Sequence, residues 1–253
     1  MTEIANSQDR MRAVLVIVAT IAMAAFNAFA AAGLVNGITP GVILDKYPTV
    51  LTPAPYVFSI WALIYLGLSA FSFYQFLTVN LLRFRPVRSL YILSCLLNCA
   101  WVYFWHRDEM AVCLALIFSL VAALLLMLTL FQRSGKIGGS FTRAPIGLYA
   151  GWATAAAIVN LAVFLKYEGV SLSPAGWTTI GVAAIALATA LAVIVRVTLR
   201  NYLYAMAIAW ALTMMAIKQG GHTAIIVAAV LGVVVCLVTA GSFVVDLRDS
   251  TSE

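Results

Sequence analysis

The sequence predicts an all-α integral membrane protein with about eight transmembrane helices. Of its 253 residues, 64% are hydrophobic and only 9% are charged, whereas soluble domains carry about 25% charged residues. A bilayer core of roughly 30 Å requires about 20 apolar residues in each helix. The predicted spans are residues 12–35, 56–79, 88–105, 110–131, 144–165, 174–195, 202–217 and 223–245, of which the seventh is short.

The distribution of Lys and Arg supports this map, because cytoplasmic connections of membrane proteins are enriched in these residues. Eleven of the 15 basic residues fall on alternate connections and at the two chain ends, and only Lys46, Arg107, Lys166 and Lys218 fall on the other side. We therefore predict that both termini are cytoplasmic and that a bacterial inner membrane fits best. Anionic lipid headgroups, and not nucleic acid, account for the net charge of +6.

The first span is predicted to remain in the protein. Ala28, Phe29 and Ala30 mimic a signal-peptide cleavage site, but the apolar run is too long for such a peptide and continues past them. The connection that follows, at about residues 36–55, holds four of the seven prolines. Because proline fixes φ and lacks an N–H donor, this connection is predicted to be stiff, either as a lid or as a simple spacer.

Span two carries a stripe of aromatic and hydroxyl side chains, spaced three and four residues apart on one helical face. Its members are Phe58, Trp61, Tyr65, Ser69, Ser72 and Phe76. A helix that only faces lipid has no need for Trp, Tyr and Ser on a single stripe. Such a stripe is expected on a helix that lines a pocket for a flat, partly polar ligand.

Spans three and five carry similar stripes, each with one asparagine. Their members are Tyr91, Cys95, Asn98, Trp101 and Trp105 in span three, and Tyr149, Trp152, Ala156 and Asn160 in span five. An asparagine in mid-span is costly unless it finds a partner. Either the aromatic residues form interfacial belts and the asparagines bond other helices, or both line an apolar pocket with a few polar anchors. The aromatic residues share helical faces with the asparagines, and this arrangement favours the pocket.

The sequence lacks the residues and motifs that several kinds of chemistry require. No acidic or basic residue is expected inside a span, which disfavours ion-coupled transport, and no hydrolase or nucleotide-binding motif is present. The four cysteines indicate neither a disulfide framework nor a metal site. Pro145 and Pro174 begin spans five and six, so no proline is expected to interrupt a helix. His106 and His222 fall on exterior turns, each as a solvated side chain or as a haem ligand.

Three blocks of the sequence resemble the TspO/translocator protein family, also called tryptophan-rich sensory proteins. Residues 53–65 are similar to the family's proline–aromatic entry to helix two, with one residue fewer between Phe and Trp. Residues 97–101, LNCAW, are similar to its LNxxW motif in helix three. Trp152 and Asn160, after Pro145, resemble its helix-five signature, although the proline is further from the Trp here.

The resemblance covers residues 12–167 and implies a five-helix TspO-like bundle. Residues 168–246 would then form an extension of three C-terminal helices, typical of a longer bacterial form. Residues 1–11 and 247–253 would be the N-terminal and C-terminal tails.

The family binds porphyrins, haem and other tetrapyrroles under its long first loop, so the resemblance implies such a ligand here, without a required cofactor or a metal site. The implied ligand-binding residues are Phe58, Trp61, Tyr65, Asn98, Trp101, Trp152 and Asn160. The implied lid residues are Pro53, Pro55 and Tyr56.

A sensory or regulatory binding protein is the function that this resemblance favours. One alternative is a transporter or export accessory for a hydrophobic small molecule. Another is an enzyme that photo-oxidises a bound porphyrin, as some family members do, although no catalytic motif is visible. The resemblance is also compatible with a homodimer.

Overall fold

The computed structural model describes residues 7–77, 81–133 and 140–242, and the regular secondary structure in these ranges is helical. The helices are α1 (Ser7–Ala31), α2 (Pro40–Lys46), α3 (Ile60–Phe76), α4 (Arg85–Trp105), α5 (Met110–Arg133), α6 (Ser140–Tyr167), α7 (Pro174–Leu199), α8 (Tyr202–Lys218) and α9 (Thr223–Gly241), and a 3₁₀ turn at Pro55–Ser59 precedes α3. The predicted all-α fold class is confirmed.

The long helices coincide with the predicted membrane spans. Within the described ranges, 7 helical segments are long and apolar enough to cross a membrane. The further apolar helix α8 has 17 residues, as expected for the short seventh span. The chain is therefore an integral membrane protein with a lipid bilayer as its environment. The predicted tail 247–253 and residues 1–6 lie outside the described residues, whereas residues from Ser7 onwards already belong to α1.

The expectation that no proline interrupts a helix is wrong for Pro145. Helix α6 begins at Ser140, so Pro145 lies inside it and removes one backbone hydrogen bond of its first turns. The polar residues Ser140, Thr142 and Arg143 concealed this earlier start. The proline packs against Gly67 of α3, where an added Cβ would lie only 3.1 Å from the Cβ of Pro145.

The chain divides into two compact units. Unit 1 comprises the residues up to Lys46 together with Ser59–Ile146, and unit 2 comprises Tyr47–Phe58 together with the residues from Gly147 onwards. Unit 1 thus holds α1 to α5 and the start of α6, and unit 2 holds the rest of α6 with α7 to α9. The segment between α2 and the 3₁₀ turn belongs to unit 2. The division into a core at 12–167 and an extension at 168–246 stays a prediction.

In unit 1, helix α4 is central, because it packs against α1, α2 and α5, while α1 also packs against α3. One part of its core is aromatic. Phe71 contacts Phe84, Tyr91 and Phe131 with ring-centroid distances of 5.6, 5.3 and 6.2 Å. All four side chains are buried.

In unit 2, helices α7, α8 and α9 pack against one another, and small residues let backbones approach closely. At Gly151 of α6, an added Cβ would overlap the carbonyl oxygen of Tyr204 and lie 2.9 Å from the Cβ of Ala207. Close approach through small residues is the usual way in which helices associate inside a membrane.

Candidate functional site

A pair of buried amides joins α1 and α4 inside unit 1. Asn27 Nδ2 donates to Asn98 Oδ1 at 2.7 Å and to the carbonyl oxygen of Met23 at 2.9 Å. Asn27 is fully buried and Asn98 is 6% exposed. Both hydrogens of the Asn27 amide are thereby used, and its Oδ1 is buried without a hydrogen-bond partner among the described residues. Turning the amide over would place its oxygen against two other acceptors, Asn98 Oδ1 and the Met23 carbonyl oxygen, so the orientation is fixed by its partners.

Trp101, one helical turn from Asn98, is stacked on a second tryptophan. The rings of Trp101 and Trp105 lie 5.5 Å apart with an interplanar angle of 25°. Trp105 Nε1 donates to the carbonyl oxygen of Pro40 at 3.2 Å, which ties this pair to the start of α2. Both rings are buried, so this aromatic surface lies within the protein and not in a lipid-facing belt.

Helix α3 supplies the other two predicted residues of unit 1. Trp61 is buried and Tyr65 is half-buried. Their ring centroids are 6.4 Å apart, as expected for residues one helical turn apart. Tyr65 is therefore a neighbour of Trp61 on the same face, as the stripe predicts.

Three predicted residues belong to unit 2. Phe58 meets Trp152 edge to face, with ring centroids 6.1 Å apart and an interplanar angle of 78°. Trp152 is 9% exposed. Asn160 Nδ2 donates to the carbonyl oxygen of Ala156 at 2.8 Å, a bond within its own helix. The predicted set is thus divided between the units: Trp61, Tyr65, Asn98 and Trp101 lie in unit 1, and Phe58, Trp152 and Asn160 lie in unit 2.

The segment predicted as a lid is tied to α8 and the residue that follows it. The Ala54 N–H donates to the carbonyl oxygen of Met214 at 3.0 Å. Trp210 Nε1 donates to the carbonyl oxygen of Val57 at 2.9 Å. Gln219 Nε2 donates to the carbonyl oxygens of Thr49 at 3.0 Å and Thr52 at 2.8 Å. These bonds agree with a stiff segment.

Among the residues predicted to shape the lid, Pro53 is buried, whereas Pro55 and Tyr56 are exposed. The part that they play as a lid stays a prediction.

The expectation of helices free of charge requires correction at Arg88. Helix α4 begins at Arg85, and Arg88 is only 1% exposed. Its Nε donates to Gln75 Oε1 at 2.7 Å. Its Nη1 is buried without a hydrogen-bond partner within the described ranges. Nearby along α4, Arg85 forms two bonds of 2.7 and 2.6 Å with the buried carboxylate of Asp9. Sequence reasoning placed these arginines in a solvated connection because they precede the apolar run.

Sequence reasoning also missed the partner roles of three residues. Asn27 was noticeable as the one asparagine of the first span, and it proves to be the partner of Asn98. Thr20 and Tyr91 form a second buried contact between α1 and α4, with hydroxyl oxygens 2.7 Å apart. Helical periodicity predicted that Tyr91 shares a face with Asn98, but the facing residues on α1 depend on how the helices pack and had no local signal.

Histidine, cysteine and carboxylate side chains are the groups that could bind a metal ion. Within the described part of the chain, no group of three or more His, Cys, Asp and Glu side chains is placed to hold a metal ion. His106, predicted to lie on an exterior turn, is 4% exposed, and its Nδ1 lies 2.8 Å from the carbonyl oxygen of Val102. His222 is exposed.

The helical fold, the apolar spans and the buried amide and indole groups define a polytopic α-helical membrane protein with a partly polar interior. The family model of the TSPO-like proteins matches residues 13–242, so the chain belongs to this family. This match confirms the family that the sequence motifs indicate. It extends through α9, beyond residues 12–167 that carry the resemblance. No curated protein and no solved structure matches the chain.

Proposed function

We propose that this membrane protein binds a planar hydrophobic ligand of the porphyrin or haem type and acts as a sensory or regulatory protein. The observation that carries the proposal is the buried Asn27–Asn98 pair, which leaves Asn27 Oδ1 without a donor. A buried acceptor in this state costs about 1–3 kcal/mol. A ligand N–H or O–H, such as a pyrrole N–H or a protonated propionate, would supply the missing donor and offset that cost.

The buried indoles support the same proposal. A tetrapyrrole offers a wide, flat π-surface, and aromatic side chains gain affinity from offset or edge contacts with such surfaces. Trp61, Trp101 and Trp152 are proposed as its aromatic contacts, with Phe58 and Tyr65 beside them. Asn98 and Asn160 are proposed as polar anchors. Family membership is consistent with this assignment but does not by itself identify a ligand.

The test is fluorescence quenching of the detergent-solubilised protein by protoporphyrin IX. The variant combines Trp61→Phe with Trp152→Phe, and Trp177→Phe is the control because Trp177 lies outside the proposed set. We expect saturable quenching at micromolar ligand in the wild type and in the control, and weaker binding in the double variant. Quenching that does not saturate, or equal affinity for protoporphyrin IX in all three proteins, would reject the proposed site.

Two further readouts separate binding from the alternatives. Loss of bound porphyrin absorbance under light, abolished in Trp152→Phe, would indicate the photo-oxidising enzyme. Flux of porphyrin across vesicles without loss of pigment would indicate the transporter. A sensory or regulatory binding protein shows saturable binding with neither effect.

We also propose that the protein lies in a bacterial inner membrane with both termini cytoplasmic. The distribution of basic residues supports this orientation. A C-terminal fusion should fluoresce with green fluorescent protein and stay inactive with alkaline phosphatase, and the opposite pattern would overturn it. We propose a homodimer as its assembly, on the resemblance alone, to be measured by its mass in detergent.

A further inference from the structure

A cleft at one end of unit 2 is lined by none of the residues of the proposed ligand site. Its volume is about 350 Å³, near the lower end of the range of about 300–1,000 Å³ for small-molecule sites. It lies where α6 and α8 end and where α7 and α9 begin. Its lining residues are Pro48, Thr49, Val50, Thr52, Lys166, Pro174, Trp177, Lys218, Gln219 and His222.

The cleft concentrates positive charge. Its lining includes the ammonium groups of Lys166 and Lys218. In the described residues of unit 2, the one acidic side chain is Glu168, and it does not line the cleft. Two ammonium groups at one small cavity repel each other, so an anion placed between them is favoured electrostatically.

The other two basic residues of the predicted exterior side, Lys46 and Arg107, belong to unit 1. There, Lys46 forms an ion pair with Asp108, with Nζ and Oδ2 2.7 Å apart, and the guanidinium of Arg107 lies 5.1 Å from the centre of the Tyr103 ring. The sequence places just four basic residues on the predicted exterior side. Two of these four, Lys166 and Lys218, line this one cleft.

The floor and one wall of the cleft are held in place. Gln219, 7% exposed, donates to the carbonyl oxygens of Thr49 and Thr52. The Thr49 N–H donates to Thr52 Oγ1 at 2.8 Å, and Thr52 is 2% exposed. On the wall, the ammonium of Lys166 lies 6.0 Å from the centre of the Trp177 ring. This contact holds the charge at the cleft and adds an apolar surface beside it.

We propose that this cleft binds a phosphate-bearing anion. Lysine ammonium groups each offer three donors to phosphate oxygens, and the Trp177 face accommodates the apolar part of the molecule that carries the phosphate. The headgroup of an anionic phospholipid and a free phosphate compound share this chemistry. A tryptophan and basic side chains at the ends of membrane spans are also the groups that contact lipid headgroups.

The experiment uses the full chain in detergent and two probes. Native mass spectrometry measures retention of phosphatidylglycerol relative to phosphatidylcholine, and calorimetry measures binding of inorganic phosphate. The variants are Lys166→Gln and Lys218→Gln. Arg107→Gln is the matched control, because it removes one exposed positive charge from the same predicted side outside the cleft. Lys166→Arg and Lys218→Arg restore the charge, and thermal unfolding verifies that every variant is folded.

Loss of one charge-assisted contact should weaken binding on the order of tenfold. Preference for phosphatidylglycerol that falls in both glutamine variants, and is retained in the arginine variants and in Arg107→Gln, supports the site with a lipid as its ligand. Saturable phosphate binding with the same pattern supports the site with a soluble anion. If neither probe distinguishes the wild type from the glutamine variants, or if Arg107→Gln loses as much binding, the proposal is overturned.

Discussion

The two units hold their helices together in different ways. Unit 1 buries polar pairs from different helices against each other: Asn27 with Asn98, Thr20 with Tyr91, and Gln75 with Arg88. In unit 2, α6 and α8 approach so closely at Gly151 that no side chain fits. Thr154 and Tyr204 add one buried hydroxyl bond at 2.8 Å.

This difference concerns the free-energy cost of the polar groups that each unit buries. Helices inside a membrane already associate well through small residues, and a polar contact between helices contributes only about 0.6 kcal/mol on average. Buried polar groups that remain incompletely paired are costly. In the described part of unit 1, such atoms include Asn27 Oδ1 and Arg88 Nη1. The ligand that we propose would offset part of this cost.

The largest effect is expected where unit 2 tolerates no side chain. Gly151→Ala places a methyl group onto the carbonyl oxygen of Tyr204, and backbone cannot move aside as a side chain can. We expect a loss of about 3 kcal/mol in unfolding free energy, the upper end for overpacking, seen as a lower unfolding temperature in detergent. Gly220→Ala is the matched control, since an added Cβ there meets nothing within 4 Å. Equal stability of the two variants would refute close packing at Gly151.

The next effect concerns the buried arginine of unit 1. Gln75→Leu removes the acceptor of Arg88 Nε and leaves a buried guanidinium with one partner fewer. Hydrogen bonds to charged groups contribute about 1.5–3 kcal/mol, so a destabilisation of about 2 kcal/mol is expected in denaturant unfolding. The exposed Ser89→Ala on α4 should be neutral. A neutral Gln75→Leu would mean that water reaches Arg88.

A smaller effect is expected for the amide pair. Asn27→Ala and Asn98→Ala should each destabilise the protein, and the double variant should lose less than the sum because the two side chains share one bond. The coupling free energy should be about 1 kcal/mol without ligand, within the range of polar contacts between membrane helices. Additive losses in the thermal unfolding of the three variants would show that the bond is not formed in solution.

The smallest effect is expected in the polar contact of unit 2. Thr154→Val keeps the side-chain shape and removes the acceptor of the Tyr204 hydroxyl. We expect a loss of about 0.6 kcal/mol, the average for such contacts. Thr178→Val, whose hydroxyl donates within its own helix to the Pro174 carbonyl, reports the effect of the substitution itself. A loss as large as that of Gln75→Leu would remove the distinction between the units.

Most of the fold could be predicted from the sequence because a bilayer imposes a length and a composition on each span. The short α8 and the aromatic stripe at Trp61 and Tyr65 follow from local patterns alone. The starts of α4 and α6 were missed because polar residues at the beginning of a helix resemble a loop. The partners of Asn98 and Arg88 could not be predicted, since they are 71 and 13 residues away along the chain and meet only through helix packing.

The attachment of the long connection also had no signal in the sequence. Its prolines indicated stiffness but not the place where it binds. The structure shows Ala54 and Val57 bonded to α8, a helix that sequence reasoning had set aside as an extension. On the side of the connection these bonds are made by backbone groups, the Ala54 N–H and the Val57 carbonyl, and backbone groups are the same at every position.

The central claim is the proposal that the buried Asn98 amide of unit 1 takes part in ligand binding, while the Thr154–Tyr204 contact of unit 2 only stabilises the fold. The most direct measurement is the Kd of protoporphyrin IX for the wild type, Asn98→Ala and Thr154→Val, each verified as folded. The account predicts a Kd on the order of tenfold higher in Asn98→Ala and an unchanged Kd in Thr154→Val. Equal affinity in Asn98→Ala and the wild type, or an equal loss in both variants, would contradict it.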